Sequence, residues 1–367
     1  MSTPLRIAYL SIERPHEGNA AYTHVHEIVA GLRRRGHDVD LYAPPDSDED
    51  RSAGLPSRIV TALALQARLM GRWRDYDAIY VRGHYLAAPL ALLARLTGKP
   101  IYHEVNGPFT DLAVTHPWTR HIEGPLRALQ RFQYRWADGL AAVTPQLERW
   151  LRSEGCESKI AVIPNGANLD RFNPDLPRRP GLPERYVIFF GGFARWQGIP
   201  VMLDAVRDPA WPKGVMLVLA GDGQMRPEVQ EAARGSEKIV YLGKLRYSDI
   251  GAAVAGAIAG LVAKTRGSDS DDTGLFPVKL FEILACGVPA IVTDYPGQAD
   301  LVRSADCGVV LPPNDAAALA RAVAKLADDP GTAAVMGRRG HEIIVRLHSW
   351  DQRAGQTAGL IAQAGRG

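Results

Sequence analysis

The chain has 367 residues, enough for two domains of roughly 150 to 200 residues that each bury a core of their own. Its content of 46% hydrophobic and 23% charged residues is typical of a soluble globular protein and excludes a disordered one. The net charge is only +3 and basic and acidic residues are interspersed, so we expect no nucleic-acid partner.

The cysteines and the N-terminus indicate the compartment. Cys156, Cys286 and Cys307 are scattered, without the spacing of a metal site, and are typical of reduced thiols. The first residues show no basic region followed by a long apolar segment, and no run reaches the ~18 uncharged apolar residues of a membrane-spanning helix. We therefore expect a cytoplasmic protein that is neither exported nor embedded.

Apolar runs of strand length alternate with amphipathic stretches in the first half of the chain. Residues 5–11 predict a strand, residues 20–35 a helix that ends at Gly36, and residues 37–44 a second strand. Further strands are predicted at 77–83, 99–107, 139–144 and 159–166. This alternation predicts a parallel sheet with helices on both faces, in which ligands bind beyond the carboxyl ends of the strands.

Polar residues follow several of these strands. The loop after the first strand holds Gly18 and Asn19 but no GxGxxG, which disfavours a dinucleotide-dependent oxidoreductase. Four candidates stand at the ends of the third and fourth strands: Arg82, His84, Glu104 and Asn106. Each of these residues could be an ordinary loop residue that bonds local backbone, or it could contact a substrate. The sequence leaves both alternatives open.

Two acidic segments, 46–52 and 267–274, contain a DxD pattern that could suggest a metal site. The first lies in a polar connection and not at the end of a buried strand, so we discount it. The second is also a loop, but it borders the helix predicted after residue 274. We predict no metal site.

Residues 63–74 and 127–136 are both basic and apolar. On a helix, Arg127, Arg131 and Arg135 recur every four residues and form one cationic stripe. Such a stripe is either a solvated helix face or a docking surface for the anionic inner face of a membrane.

Residues 170–186 are rich in proline and turn pairs, the strongest break in composition. We place the domain boundary there, between residues 1–177 and residues 178–346. Strand and helix alternation then restarts, with strands predicted at 186–192, 215–223 and 238–245.

Residues 273–294 hold a short helix that stops at Gly287 and leads into an apolar strand. Helical spacing puts Lys279 and Glu282 on one face of this helix, with apolar residues on the other. A helix start after a glycine offers free amides to an anion, and a carboxylate one turn further in accepts hydrogen bonds from sugar hydroxyls. The stretch therefore suits a nucleoside diphosphate, although an ordinary βα unit with a charged solvent face has the same pattern.

Four segments in order, 164–174, 191–206, 218–229 and 273–294, resemble glycosyltransferase family 4, the retaining sugar-nucleotide transferases. The resemblance spans nearly the whole chain. It implies the GT-B fold, an α/β arrangement of two Rossmann-like, doubly wound parallel-sheet domains that face a cleft. It also implies that the last helix, 347–367, crosses back to the first domain with Trp350 as its anchor.

The resemblance assigns roles to residues on both sides of that cleft. It implies that the nucleotide-sugar donor contacts Gly18, Asn19, Gly192, Gly221, Lys244, Gly274, Leu275, Phe276, Val278 and Glu282. Glu282 corresponds to the residue that binds the ribose hydroxyls. Acceptor contacts are expected at Arg82, His84 and Asn106, and the catalytic set is Lys279, Arg195 and Glu104, with Glu104 contacting an acceptor hydroxyl.

The chain departs from the family pattern at four places. Asn19 stands where the family commonly carries the second glycine of a Gly-Gly pair. The arginine and lysine that neutralise the donor diphosphate are replaced by Gly192 and Gln197, so we expect Arg195 and Lys279 to supply the charge. Gly274 replaces a glutamate that usually meets the transferred sugar, which leaves that contact to the amides of residues 274–277 or to Asp271 or Asp272. Asn106 stands where many members carry a histidine near the reacting sugar.

The sequence thus predicts a metal-independent, cofactor-free hexosyltransferase that moves a sugar from a UDP or GDP donor to a hydroxyl acceptor, with retention. The acceptor is expected in bacterial polysaccharide, glycolipid or natural-product synthesis, and a lipid-linked acceptor would bring the enzyme to the membrane. Two alternatives remain: a GT-B sugar-nucleotide epimerase or hydrolase, and a non-catalytic two-domain sugar-binding protein, which would need export.

Overall fold

A computed structural model of the chain describes residues 4–13, 20–45, 54–108, 121–265 and 274–364. It contains two six-stranded sheets in which all neighbouring strands are parallel, which confirms the predicted α/β class. The first sheet consists of β1 (Arg6–Leu10), β2 (Asp38–Tyr42), β3 (Ala78–Arg82), β4 (Ile101–Val105), β5 (Gly139–Ala142) and β6 (Lys159–Val162). The second consists of β7 (Tyr186–Gly192), β8 (Met216–Asp222), β9 (Ile239–Gly243), β10 (Ala259–Val262), β11 (Ala290–Thr293) and β12 (Gly308–Leu311).

The strand orders are β2-β1-β3-β4-β5-β6 and β12-β11-β10-β7-β8-β9. The direction of winding therefore reverses between β1 and β3 in the first sheet and between β7 and β10 in the second. Such a switch point opens a crevice beyond the carboxyl ends of the strands. Glu13 and Arg82 lie at the first reversal, and Gly191 lies at the second.

The inner strands are apolar because helices cover both faces of each sheet. β3 and β4 are buried along their whole length, and β7 is buried from Tyr186 to Phe190. In the first half, the described helices are α1 (Ala20–Arg34), α2 (Leu55–Gly71), α3 (Ala88–Thr97), α4 (Glu123–Trp136) and α5 (Pro145–Ser153).

The helices of the second half pack on the second sheet. They are α6 (Ile199–Ala205), α7 (Arg226–Gly235), α8 (Tyr247–Val254), α9 (Val278–Ala285), α10 (Gln298–Ala305), α11 (Ala316–Asp328) and α12 (Pro330–Leu347). Sequence-encoded caps fix several helix starts: Asp315 accepts from the amide of Ala318 at the start of α11, and Asp329 does the same for Thr332 in α12.

The last helix, α13 (Trp350–Ala364), packs against α1 of the first half. Trp350 and Ile361 are buried in the same cluster as Ile7 of β1, and the Tyr102 hydroxyl donates to the Ile361 carbonyl at 2.9 Å. The chain therefore returns to the first sheet after completing the second. The limits 1–177 and 178–346 remain our proposal for the two domains.

None of the described helices combines the length and the apolar character that a bilayer span requires.

Candidate active site

Glu282 lies on α9 and is only 3% exposed. The Tyr247 hydroxyl, from the start of α8, donates to its Oε1 at 2.8 Å. Burial raises the pKa of Glu282 to about 7, although the Tyr247 hydrogen bond and the charge of Lys279 act in the opposite direction. Few neighbouring groups offset the cost of burying the charged Glu282 carboxylate. A ligand hydroxyl that donates a hydrogen bond to it would therefore stabilise the charged form.

Lys279 lies one turn before Glu282 and is half-buried. Its Nζ donates to Gln197 Oε1 at 2.9 Å and lies 3.9 Å from the centroid of the Phe189 ring. Burial lowers the pKa of Lys279 to about 7. The ammonium group of α9 thus reaches the side chain of Gln197, the position at which the resemblance places a lysine. Gly191, at the end of β7, lies beside the same group.

Arg195 belongs to a short 3-10 turn, Arg195–Gln197, and is exposed. It lines an open depression of about 710 Å³ together with Glu228 and Glu231 of α7. Arg195 thus shares this depression with two carboxylates of α7, whereas Lys279 bonds Gln197. A donor-phosphate role for Arg195 stays a prediction.

Three predicted donor contacts, Gly274, Leu275 and Phe276, lie in the segment before α9, and a fourth, Val278, is the first residue of the helix. The Val278 side chain is buried in the hydrophobic cluster of the first half with Ile163 and Trp350, so a donor contact there would use its backbone amide and stays a prediction. The Leu275 amide donates to the Pro296 carbonyl at 2.8 Å, and Pro277 has no N–H. The expected row of free amides at 274–277 is therefore incomplete.

Of the two predicted strand-end glycines, Gly221 has a structural reason for its identity. A Cβ on Gly221 would lie 1.9 Å from the Gly191 carbonyl oxygen, because β7 and β8 approach closely at this point. Gly192 pairs with Asp222 at the same edge and is exposed, as is Lys244 after β9. Donor contacts by Gly192, Gly221 and Lys244 stay predictions.

Several predicted residues lie outside the part of the chain that the structure describes. They are Gly18, Asn19, Asp271, Asp272 and the acidic segment 46–52, as well as residues 267–273 of the second acidic segment. Within the described ranges, no three His, Cys, Asp or Glu side chains form a group that could hold a metal ion.

Across the cleft, Glu104 at the end of β4 is 2% exposed. Its Oε1 accepts from the Arg82 guanidinium and from Asn106 Nδ2 at 2.8 Å, and its Oε2 accepts from His24 Nε2 at 2.6 Å. Arg82 also donates through Nε to Glu13 at 2.9 Å.

This network supplies partners to both carboxylate oxygens of Glu104, and a contact between Glu104 and an acceptor hydroxyl stays a prediction. Both of its oxygens are occupied, and the hydroxyls of Tyr9 and Tyr80 also donate to Oε2. Burial alone would raise the pKa of Glu104, but the charges of His24 and Arg82 outweigh it and hold this pKa well below its ordinary value. Glu104 is thus a permanently ionised anchor that orients its neighbours.

His24 connects this anchor to the second half of the molecule. Its Nδ1 lies 2.7 Å from Asn165 Oδ1, and Asn165 Nδ2 donates to the Phe276 carbonyl at 2.7 Å. A carbonyl only accepts, so this bond fixes the Asn165 amide with its oxygen towards His24. The His24 ring therefore lies between two oxygen atoms, Asn165 Oδ1 and Glu104 Oε2. A continuous polar chain therefore runs from the β4 edge to the segment before α9.

The two remaining acceptor candidates differ in exposure. Asn106 is exposed and keeps its amide at Glu104. His84 is half-buried and accepts from the Leu86 amide through Nδ1 at 3.2 Å, which caps the 3-10 turn Tyr85–Ala87. Burial lowers the pKa of His84 to about 4, so the ring is neutral at neutral pH. Acceptor contacts at Arg82, His84 and Asn106 stay predictions.

Comparison with known proteins decides the family. The model of "Glycosyltransferase Family 4" matches residues 21–171, and that of "Glycosyl transferases group 1" matches residues 184–329. The chain belongs to glycosyltransferase family 4. It is therefore a transferase that moves a sugar from a nucleotide-sugar donor to an acceptor.

The similarity to named relatives covers most of the length of this glycosyltransferase. It is 26% identical over 92% of its chain, and 93% of the other, to the GDP-mannose-dependent alpha-(1-6)-phosphatidylinositol monomannoside mannosyltransferase of Mycolicibacterium smegmatis. It is also 26% identical, over 77% of its chain and 76% of the other, to the 2-deoxystreptamine glucosyltransferase of Streptomyces kanamyceticus.

Solved structures show that the fold is GT-B, as predicted. The sucrose-phosphate synthase of Thermosynechococcus elongatus superposes with a TM-score of 0.78 over 98% of both chains, at 22% identity. Anabaena HepE in complex with UDP-glucose gives a TM-score of 0.74 over 98% of this chain and 99% of the other, at 16% identity.

Sequence reasoning missed His24, Asn165 and Tyr247, which complete the two carboxylate environments. His24 lies on the buried face of α1, where helical periodicity would place an apolar residue, and that mismatch was the available signal. Asn165 stands in the segment 164–174 that carries the resemblance. Tyr247 gave no signal, because a tyrosine at a helix start is ordinary.

Proposed function

We propose that the protein transfers a hexose from a UDP or GDP donor to a hydroxyl group, with retention and without a metal ion. One observation supports this most: α9 carries Lys279 and Glu282 one turn apart, the first at Gln197 and the second buried with a raised pKa. An ammonium and a carboxylate at this spacing match the diphosphate and the ribose of a sugar nucleotide.

In this proposal Lys279 stabilises the diphosphate as it leaves. Positioned cations in a water-excluded site are worth several kcal/mol to a leaving group that gains charge. Glu282 accepts a ribose hydroxyl. Because Glu104 is saturated with hydrogen bonds, it is not placed as a general base, which favours the leaving phosphate oxygen in that role.

The identity of the nucleotide is best tested by thermal shift against a panel of nucleoside diphosphates and their sugars, since ligand binding raises the melting temperature. GDP-mannose and UDP-glucose lead the panel, because relatives are named for the former and a structural neighbour binds the latter. We expect a response to UDP or GDP that disappears in Glu282→Ala and persists with chelator. A response that survives in Glu282→Ala would overturn the ribose assignment.

The reaction itself separates the proposal from an epimerase or hydrolase. We expect release of nucleoside diphosphate to require a hydroxyl acceptor, and NMR of the product to show the anomeric configuration of the donor. Release at the same rate without any acceptor would favour hydrolysis.

A lipid-linked acceptor is supported by the helices that cover one face of the first sheet. Phe132 on α4 is 51% exposed and Leu96 on α3 is 75% exposed, and these two helices pack against each other. The predicted cationic stripe is partly neutralised, since Arg127 and Arg131 both pair with Glu154. We propose that this apolar surface, flanked by arginines, docks on an anionic membrane near the acceptor. Named relatives act on phosphatidylinositol glycolipids.

Vesicle sedimentation tests the membrane contact. Vesicles that contain phosphatidylinositol should retain the protein, and neutral vesicles should not. The double variant Phe132→Asp, Leu96→Asp should stay in solution while its thermal response to nucleotide is unchanged. If the vesicles retained this variant as well as the unaltered protein, the proposed docking surface would be wrong.

A further inference from the structure

Gln146 reaches from the first half of the molecule to the segment before α9. It lies in the first turn of α5, at the carboxyl edge of the first sheet, where the Thr144 hydroxyl caps the helix by accepting from the Leu147 amide. A Cβ placed on Gly274 would lie 2.9 Å from Gln146 Oε1 and 3.1 Å from its Cδ. The carboxamide therefore occupies the space that a side chain at position 274 would enter.

The carboxamide oxygen is shielded from solvent and has no hydrogen-bond partner among the described residues. Leaving a buried acceptor unsatisfied costs about 1–3 kcal/mol, so such atoms in native proteins need an explanation. A ligand hydroxyl would supply the missing hydrogen bond. Gly274 has φ +76°, a conformation that disfavours any side chain, so the polar group must come from elsewhere.

The places of Glu282 and Lys279 along the bound donor indicate which part of the donor Gln146 contacts. With Glu282 at the ribose and Lys279 at the diphosphate, the donor runs along α9 towards its N-terminus. Gly274 precedes Lys279 by five residues and lies before the first turn of α9, so it is on the diphosphate side of the site, away from the ribose at Glu282. The transferred sugar is the part of the donor that extends there.

We propose that Gln146 contacts the transferred sugar, with Oε1 accepting one of its hydroxyl hydrogens. This inference rests on the proposed function and makes Gln146 a specificity-determining residue that the first half contributes to the donor site. A carboxamide is neutral and offers both an acceptor and an N–H donor, whereas a glutamate at position 274 would only accept and would carry a charge. The substrate class is therefore a neutral hexose with a free hydroxyl at this place.

Calorimetry with a nucleotide sugar and its free nucleoside diphosphate tests the contact. The probes are GDP-mannose with GDP, or UDP-glucose with UDP, according to which pair raises the melting temperature of the unaltered protein. Gln146→Ala should weaken binding of the sugar nucleotide about tenfold, the value of one neutral hydrogen bond, and change binding of the free diphosphate less than about twofold. Gln146→Glu keeps an acceptor oxygen and should retain sugar-nucleotide binding within about threefold.

Two comparisons separate this contact from a structural role. Arg149→Ala, on the exposed face of the same helix, should leave both affinities unchanged. The melting temperature of Gln146→Ala should equal that of the unaltered protein or exceed it, because an unsatisfied buried atom is removed. The proposal would be overturned if Gln146→Ala weakened binding of the sugar nucleotide and of the free diphosphate equally, or if it weakened neither. A protein that responds to no sugar nucleotide would instead refute the proposed function.

Discussion

Glu104 and Glu282 are equally buried carboxylates in the two halves of the molecule, yet their pKa values are shifted in opposite directions. Glu104 is 2% exposed and is bonded by Arg82, His24 and Asn106, so its pKa lies well below the ordinary value. Glu282 is 3% exposed, accepts from Tyr247, and has a pKa raised to about 7. Burial alone therefore does not decide the state of a carboxylate. Its partners do, and the under-compensated one is available to a ligand.

The largest effect should follow from removing the cation beside Glu104. Arg82→Met leaves Glu104 and Glu13 without their buried guanidinium partner, which should cost about 3–5 kcal/mol of unfolding free energy. Urea denaturation measures this loss. Arg127→Met is the matched control, because its pair with Glu154 is more exposed and should contribute under about 1 kcal/mol. A loss of similar size in both variants would break the comparison.

Removing the cation on α9 should affect catalysis and not stability. Lys279→Met should lower kcat/KM for the sugar nucleotide by about 10²–10³-fold, because the leaving diphosphate loses its positioned charge. Since burial lowers the pKa of Lys279 to about 7, the ammonium loses its proton as pH rises through 7, and kcat/KM of the unaltered enzyme should fall on the alkaline side. Initial rates between about pH 6 and 9 measure both effects.

That alkaline decline should be absent from Lys279→Met. The exposed Lys238 supplies the control, and Lys238→Met should keep both the rate and the decline. An unchanged pH profile in Lys279→Met would assign the ionisation to another group.

Glu282→Gln should separate binding from stability. The folded pKa of Glu282 is raised from 4.5 to about 7, so the folded state binds the proton more tightly than the unfolded state. The unaltered protein therefore loses stability as pH rises through this range, and the variant does not. At about pH 8 we expect Glu282→Gln to be more stable by roughly 2–3 kcal/mol. Nucleotide affinity should nevertheless fall about tenfold, because the carboxamide is a weaker acceptor.

Denaturation at two pH values and calorimetry with the nucleotide provide the readout. A variant that is less stable than the unaltered protein at about pH 8 would contradict the comparison.

Tyr247→Phe should give the smallest change. The Tyr247 hydroxyl lowers the pKa of Glu282, so its removal should move the acid limb of kcat/KM to higher pH by less than about one unit. The rate should fall about threefold near pH 6.5 and change less than about twofold near pH 8. Tyr186→Phe removes a comparable buried bond, to the Ala253 carbonyl, and should leave the pH profile unchanged. Equal losses at both pH values would indicate a merely structural hydroxyl.

The charged pair on α9 could be predicted from the sequence because its spacing is local. Lys279 and Glu282 lie three residues apart on one short helix, and helical spacing alone brings them to one face. Gly287 and the apolar residues around them fixed the helix and the strand that follows it. The two parallel sheets were also readable, since buried strands appear as short apolar runs between amphipathic helices.

The acceptor side could not be predicted in this way, because its contacts join distant parts of the chain. Glu104 is bonded by Arg82, 22 residues away, and by His24, 80 residues away. The Val278 side chain, although it belongs to the donor helix, likewise packs in the core with the returning helix and Trp350. Neither outcome is encoded in neighbouring residues.

The sequence by itself determined the alternation of strands and helices, the family, and the charged pair on α9, because each depends on residues within a few positions of one another. Only the tertiary structure decided which buried carboxylate is compensated and which is not. It also placed the oxygen of Gln146 at Gly274, across the two halves. The physical reason is that the pKa of a group and the partners of a polar atom depend on distance in space and on burial, which folding sets.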